Sequence, residues 1–218
     1  MKAIPEIAKS FSTEEKIKEA ARKVFTQKGY AATRTRDIAE EAGLNLALLN
    51  YYFRSKEKLF DIIMTETFQV FMQSIVEIIN DEQTTMNEKI EKMVSRYIDT
   101  LTIHPDIPLF IISEIKADPK KFMSKTGMSQ HFQNSFLKKQ MMELAMANKT
   151  PLINPLHIML NMMSLTIFPF VANPIIQNIG GLSKEQFNEM MQERKKLIPI
   201  WISSMIAPTG YSADKKQD

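Results

Sequence analysis

The side chains available for chemistry in this chain are hydroxyls, amides, carboxylates and amines, because its 218 residues include no cysteine and only three histidines. Absent cysteine removes disulfide frameworks, thiolate zinc sites and thiol nucleophiles together. His104, His131 and His157 are scattered, and none has a serine and an acid at a motif-like spacing. Glu114 follows the His104–Pro105 pair, but one imidazole and one carboxylate lack the nucleophile and orienting group that a hydrolase or transferase needs. The chain is therefore expected to have no catalytic residues, no metal site and no cofactor, and not to be an enzyme.

A second constellation points elsewhere. From Thr35 the sequence reads T-R-D-I-A-E-E-A-G-L-N-L-A-L-L-N-Y-Y-F. Thr35 can cap a short helix ending at Ala42, with Ile38, Ala39 and Ala42 facing inward, and Gly43 supplies a left-handed residue for a tight turn. Leu44 plugs the gap between helices, Asn45 caps the next one, and Leu49 and Phe53 anchor it. Two short helices joined by about three residues with a glycine in the turn form either an ordinary αα-hairpin or a helix-turn-helix, whose second helix can enter the DNA major groove. The next segment, Y-Y-F-R-S-K-E-K-L-F from Tyr51 to Phe60, caps a further helix at Ser55 and puts Lys56 in its first turn. A cation there is mildly opposed by the helix macrodipole. A docked phosphate would be attracted both by the ammonium and by the free N–H groups.

The elements that must position these residues are helices. Ile17, Ala20, Ala21, Val24 and Phe25 fall on one face of a first helix that Ser12 and Glu15 can cap and Gly29 can end. Ile90, Met93, Val94, Tyr97, Ile98 and Leu101 recur at helical spacing behind a Thr85/Glu88 capping box. Ser183 and Gln186 start a last helix running to Ile206. Breaks are expected at His104–Pro105, Asp118–Pro119, Asn154–Pro155 and Gly180–Gly181. With 44% hydrophobic residues, six glycines and no alternating apolar pattern, the fold class is all-α, with about nine helices by cap and breaker signals. From Thr150 to Ser183 there is no charged residue, yet Pro155, Pro169 and Pro174 interrupt the run. Asn154, His157, Asn161 and Ser164 also place a polar stripe along it, so the expectation is no membrane span and a cytoplasmic protein.

Charge is unevenly placed. Residues 1–60 hold 12 basic and 8 acidic side chains and the remainder 16 and 17, so the overall +3 is a +4 head on a −1 body. A basic head fits contact with a polyanion, and equally a solvated surface with a chance excess. The capped first helix, the I-A-x-x-A-G turn, the L-x-N-Y-Y-F segment and the S-K-E-x-L helix entry, together spanning Ser12 to about Phe60, resemble the TetR/AcrR family of bacterial transcriptional regulators. Asn50 departs from the aromatic that many members carry there. The resemblance implies a three-helix helix-turn-helix domain over 1–55, a connecting helix over 56–80, a helical effector-binding and dimerisation domain over 81–211 and a frayed tail over 212–218.

It also implies roles for individual residues. Thr35, Arg36, Tyr51 and Lys56 take the places of phosphate contacts, and Asn45, Leu46, Ala47 and Asn50 those of the groove-facing surface. An asparagine can bond adenine in bidentate fashion, whereas Leu46 and Ala47 suit thymine methyl groups, with internal packing the other reading for Leu46. With no Arg or Lys on that surface to take guanine, the half-site is expected to be A/T-rich.

Beyond residue 60 lie all the methionines but Met1. Methionine fills irregular cores and also lines adaptable apolar sites. The first reading is plain core; the second is a pocket for an apolar small molecule, with Met93, Tyr97, Phe110, Met142 and Phe168 as candidates. By resemblance the chain is a homodimer through helices at 155–176 and 183–206, with Trp201 either an interface anchor or core. Its partner is a palindromic double-stranded DNA operator with half-sites about one turn apart, and effector binding releases it. The rival readings are a co-repressor-type regulator or activator, and a DNA-binding protein on the same scaffold without a sensor.

Overall fold

A computed structural model describes residues 12–147 and 154–206; the expected tail at 212–218 and the domain ends at 1–11 and 207–211 lie outside the described residues. Twelve helices and no strand are found there: α1 Thr13–Ala32, α2 Thr35–Glu41, α3 Leu46–Tyr52, α4 Lys56–Asn80, α5 Met86–Ile103, α6 Ile107–Ala117, α7 Pro119–Thr126, α8 Met128–Gln133, α9 Phe136–Ala147, α10 Pro155–Val171, α11 Asn173–Gly180 and α12 Lys184–Ile206. The expectation of about nine fell short because several helices are one or two turns long and follow each other with hardly any loop. The chain divides into two compact units within α4, between Phe68 and Gln69.

In the first unit Ile17, Ala21, Val24 and Phe25 of α1 are buried with Ile38 of α2, Leu49 of α3, and Leu59 and Ile63 of α4. Ser12 Oγ accepts the Glu15 N–H at 3.2 Å, while the Glu15 carboxylate goes to Lys18 at 2.6 Å. Gly29, at φ 72° and ψ 169°, ends the regular run of α1 as expected, and the last turn to Ala32 follows beyond this kink. Glu66 of α4 receives Lys18 at 3.0 Å and also pairs with Arg22, fastening α1 to α4.

The second unit is built on α5, α10 and α12. Val94, Ile98 and Leu101 of α5 are buried with Phe187, Met191, Ile198 and Ile202 of α12 and Ile158, Met162 and Phe170 of α10. Both expected capping boxes form: the Glu88 carboxylate accepts the Thr85 N–H at 2.7 Å, and Gln186 Oε1 accepts that of Ser183 at 2.8 Å. Pro169 does not interrupt its helix. Lacking an N–H, it leaves the Leu165 carbonyl without its intrahelical donor, and Arg194 of α12 supplies one, Nη2 to O 2.8 Å. Pro174 does act as a breaker: the expected single helix over 155–176 is two, α10 and α11, bent by 73° at Ala172. By length and hydropathy α4 alone could cross a bilayer, as could the bent pair if taken together. The apolar residues Ile75 and Ile79 of α4 are nevertheless buried in the protein.

Candidate nucleic-acid interface and apolar cleft

The segment from Thr33 to Phe53 is organised by its caps. Arg34, not Thr35, is the N-cap of α2, and its N–H donates to the Asp37 carboxylate at 2.9 Å. That bond and the nearby Lys28, 3.2 Å away, hold the Asp37 carboxyl below its ordinary value. Thr35 is thus the first helical residue, half-buried, while Arg36 beside it is exposed. Gly43 sits at φ 67°, with no atom within 4 Å of where a Cβ would lie, so only backbone conformation demands glycine there. The turn closes with Leu44 N–H on the Ala39 carbonyl at 2.9 Å, directly over a residue small enough to admit it.

Asn45 caps α3 by accepting the Leu48 N–H at 2.8 Å. Its carboxamide oxygen is therefore occupied, whereas Asn50 is exposed and makes no side-chain hydrogen bond among the described residues. Ala47 is exposed beside it and Leu46 half-buried, partway between its two readings. Buried Leu49 and Phe53 hold the other side of α3. Tyr51 is 80% exposed, with its ring edge-on to Tyr52 at 5.5 Å. An aromatic so displayed has no packing reason to be there.

Lys56 is engaged within the fold. Its ammonium donates to the carbonyls of Tyr30 at 2.9 Å and Thr33 at 3.0 Å, and it lies 4.2 Å from the Tyr30 ring centroid. Instead of standing free at the head of α4, as expected of a phosphate contact, it closes the far end of α1. The helix head is capped by Ser55, which accepts the Lys58 N–H at 3.1 Å.

A long first helix and two short ones with this turn, this cap pattern and an exposed N-Y pair on the last match a known family. A model described as "Bacterial regulatory proteins, tetR family" covers residues 17–63. Residues 17–63 thus carry the DNA-binding module of the TetR family of transcriptional regulators. Across most of its length the chain is similar to the "Probable HTH-type transcriptional regulator YttP" of Bacillus subtilis, 26% identical over 203 residues, 89% of this chain and 94% of that one. Among solved structures, a TetR/AcrR-family regulator from Thermobifida fusca superposes with a TM-score of 0.59 at 17% identity, over 91% of this chain and 98% of that one. FadR from Bacillus subtilis, solved in complex with stearoyl-CoA, does so at 0.50 and 18% identity, over 84% and 96%. The structural likenesses establish a TetR-type fold.

The second unit contains an apolar cleft. Its walls are α4, α5, α8, α9 and α10, and it holds seven of the methionines: Met72, Met93, Met128, Met141, Met159, Met162 and Met163. Of the residues expected there, Met93 and Tyr97 line it. Phe110 is buried elsewhere on α6, while Met142 and Phe168 point outward, 43% and 62% exposed. All five fit an apolar pocket by type, but a short helix turns only one side to the cleft, and composition cannot say which. The cleft has a cavity volume of about 80 Å³. Beside it Lys89 is fully buried, donating to the carbonyls of Asp81 and Thr84 and to the Thr84 hydroxyl. Burial lowers its pKa. Gln140 of α9 reaches the same Thr84 carbonyl at 2.9 Å, pinning that wall of the cleft to the turn after α4.

Proposed function

We propose that the protein is a ligand-responsive repressor that binds an A/T-rich palindromic operator as a homodimer and leaves it when an apolar small molecule enters the cleft. The observation that carries this reading is the double membership of α4. It supplies Met72, Ile75 and Ile79 to the cleft and belongs, through its earlier turns, to the DNA-binding unit. A ligand that displaces this wall acts on the helix whose Glu66 holds α1. Arg36, Tyr51 and the backbone N–H groups at the head of α2 take phosphates, and Asn50, Ala47 and Leu46 read bases. Lys56 supports them from behind.

The dimer surface is the outward side of α10 and α12. Leu156, Leu160 and Phe168 on the first, and Leu197, Ile200 and Trp201 on the second, are exposed large apolar side chains of a kind that protein interfaces cover. A single helix-turn-helix reads too few base pairs for useful specificity, which a two-fold pair of them overcomes.

Selection of bound DNA from a random pool gives the operator, and a gel shift with and without 1-decanol then tests the response. Release by the alcohol is expected. A G-rich consensus would overturn the base reading, and tighter binding with ligand would turn the repressor into a co-repressor-dependent one.

A further inference from the structure

The chemistry of the cleft narrows its occupant further, resting on the reading above that the cleft is the effector site. None of the described residues that line it is Lys, Arg, Asp or Glu. A charged head drawn inside would lose its hydration and meet no counter-charge on the lining, and the nearby Lys89 ammonium is already taken up by Asp81 and Thr84, so the apolar wall does not repay the penalty. Aromatic rings are scarce as well, with Tyr97 and Phe132 the two present. That is too few for the aromatic cage that holds a quaternary ammonium. What remains is thioether and aliphatic wall, adaptable in shape and suited to a flexible hydrocarbon.

One polar group breaks this uniformity. Tyr97 lies on the cleft side of α5 and is about nine-tenths buried. Its ring packs edge-on against Phe71 at 4.7 Å, and its hydroxyl makes no hydrogen bond among the described residues. Burial alone pushes its pKa up to about 12, so the group stays a neutral phenol that both donates and accepts. Among the described residues, the buried side-chain polar atoms that are sealed off without a partner are those of Gln140 and Arg194. The Tyr97 hydroxyl is not one of them, and the residue that carries it lines the cleft. Buried hydroxyls without partners are uncommon because each forfeits a hydrogen bond to water. His131, the other polar lining residue, is exposed and stands at the rim.

We propose that the cleft takes an uncharged aliphatic molecule with one polar head, an alcohol, aldehyde, ketone or ester, whose oxygen hydrogen-bonds the Tyr97 hydroxyl while its chain lies among the methionines. The head is thus read by a single neutral contact, and carboxylates, ammonium amphiphiles and coenzyme A thioesters are refused by desolvation. The unliganded cleft has room for only a few water molecules, so the chain enters by moving the methionine side chains.

The test uses the full-length protein and four ten-carbon probes of one chain length: 1-decanol, decanoate, decyltrimethylammonium and decanoyl-CoA, with decane as the headless reference. Affinity is read by calorimetry and by the ligand-induced rise in melting temperature. Decanol is expected to bind at least tenfold more tightly than any of the three charged probes. Tyr97→Phe, which keeps the ring on Phe71, is expected to weaken decanol roughly three- to tenfold, the worth of one neutral hydrogen bond, and to leave decane unchanged. Met159→Trp, which fills the cleft, abolishes binding of both. A charged probe that binds as tightly as decanol, or a Tyr97→Phe protein that binds decanol undiminished, overturns the neutral-head assignment while Met159→Trp still confirms the cleft as the site. If no probe binds, or if Met159→Trp leaves binding intact, the effector-cleft reading falls and takes this inference with it.

Discussion

Replacing Lys56 by Met separates two roles that its place in the sequence cannot distinguish. In the structure its ammonium gives two hydrogen bonds to main-chain carbonyls, Tyr30 O at 2.9 Å and Thr33 O at 3.0 Å, and a cation–π contact to Tyr30 at 4.2 Å. A hydrogen bond from a charged donor contributes about 1.5–3 kcal/mol when buried. Half-exposure of Lys56 reduces that to about 1 kcal/mol each, and the ring contact adds about 0.5–1 kcal/mol. The variant should therefore lose about 2–3 kcal/mol, a fall in melting temperature of roughly 4–12 °C for a chain of this size. Operator affinity should fall too, because the end of α1 and the start of α2 lose their tie. The dependence of binding on salt is the decisive readout. Each phosphate contact contributes about 0.9 to the slope of log K against log salt, so a dimer losing two Lys56–phosphate contacts would flatten by about 1.8. A positioning lysine leaves the slope unchanged, whereas Arg36→Gln, its control, flattens it. A Lys56→Met protein with native melting temperature and a flattened slope would refute the reasoning.

Further outcomes follow from single contacts. Asn50→Ala should relax selection at one base pair per half-site and cost about 1–3 kcal/mol of discrimination there, which a competition gel shift against operator variants measures. Gly43→Ala should cost about 1 kcal/mol from the left-handed backbone alone, since its Cβ would meet nothing; Gly43→Asn should recover part of that in urea melts, and a loss several times larger would mean a clash that the structure does not contain. Arg194→Gln leaves the Leu165 carbonyl without its donor and should cost about 1–3 kcal/mol. The same change should cost much less in a Pro169→Ala background, where the substituted residue regains the N–H that serves that carbonyl, and a double-mutant cycle with no coupling would disprove the link. Asp37 and Glu88 have pKa values lowered by the N–H groups they cap. Their contribution is complete above the ordinary carboxylate range of about 4 and disappears as pH falls through their lower folded values. Asp37→Asn should therefore flatten the loss of stability on acidification below about pH 4.

What the sequence disclosed and what it withheld divide by distance along the chain. The capping boxes at Thr85/Glu88 and Ser183/Gln186 involve residues three apart, and a local rule recovers them. The turn at Gly43 is equally local. The ties of Lys56 lie beyond such rules, because the carbonyls that engage it are 26 and 23 residues earlier in the chain. Pro169 and Pro174 read alike in sequence, yet one continues its helix and the other ends it. Arg194, on a different helix, serves the carbonyl freed by the first. The cleft shows the same limit: Met93 and Tyr97 line it while Met142 and Phe168 face outward, and only the packing of five helices decides. Composition offered plain core first and a methionine-lined pocket second, and of the two methionines it named, Met93 lines the cleft and Met142 does not.

On the proposed function, coupling between the cleft and DNA is a question of differential affinity. A ligand shifts a conformational equilibrium only by as much as it prefers one state over the other. The cleft is partly open to solvent and has a volume of about 80 Å³, so holding a whole ten-carbon chain inside it calls for the walls to separate. The ligand thus discriminates by volume: it finds little room in this arrangement and much in one where the walls have separated. Flexible methionine lowers the cost of that separation, which would be prohibitive in a core packed with branched side chains. Lys89 of α5 and Gln140 of α9 both hold the Thr84 carbonyl in the turn after α4, so α5 and α9 resist together, and the yielding falls on the others. Among these α4 alone continues into the DNA-binding unit. A polar head anchored at Tyr97 on α5, with its chain directed against α4, is the arrangement in which filling a cavity becomes displacement of a helix.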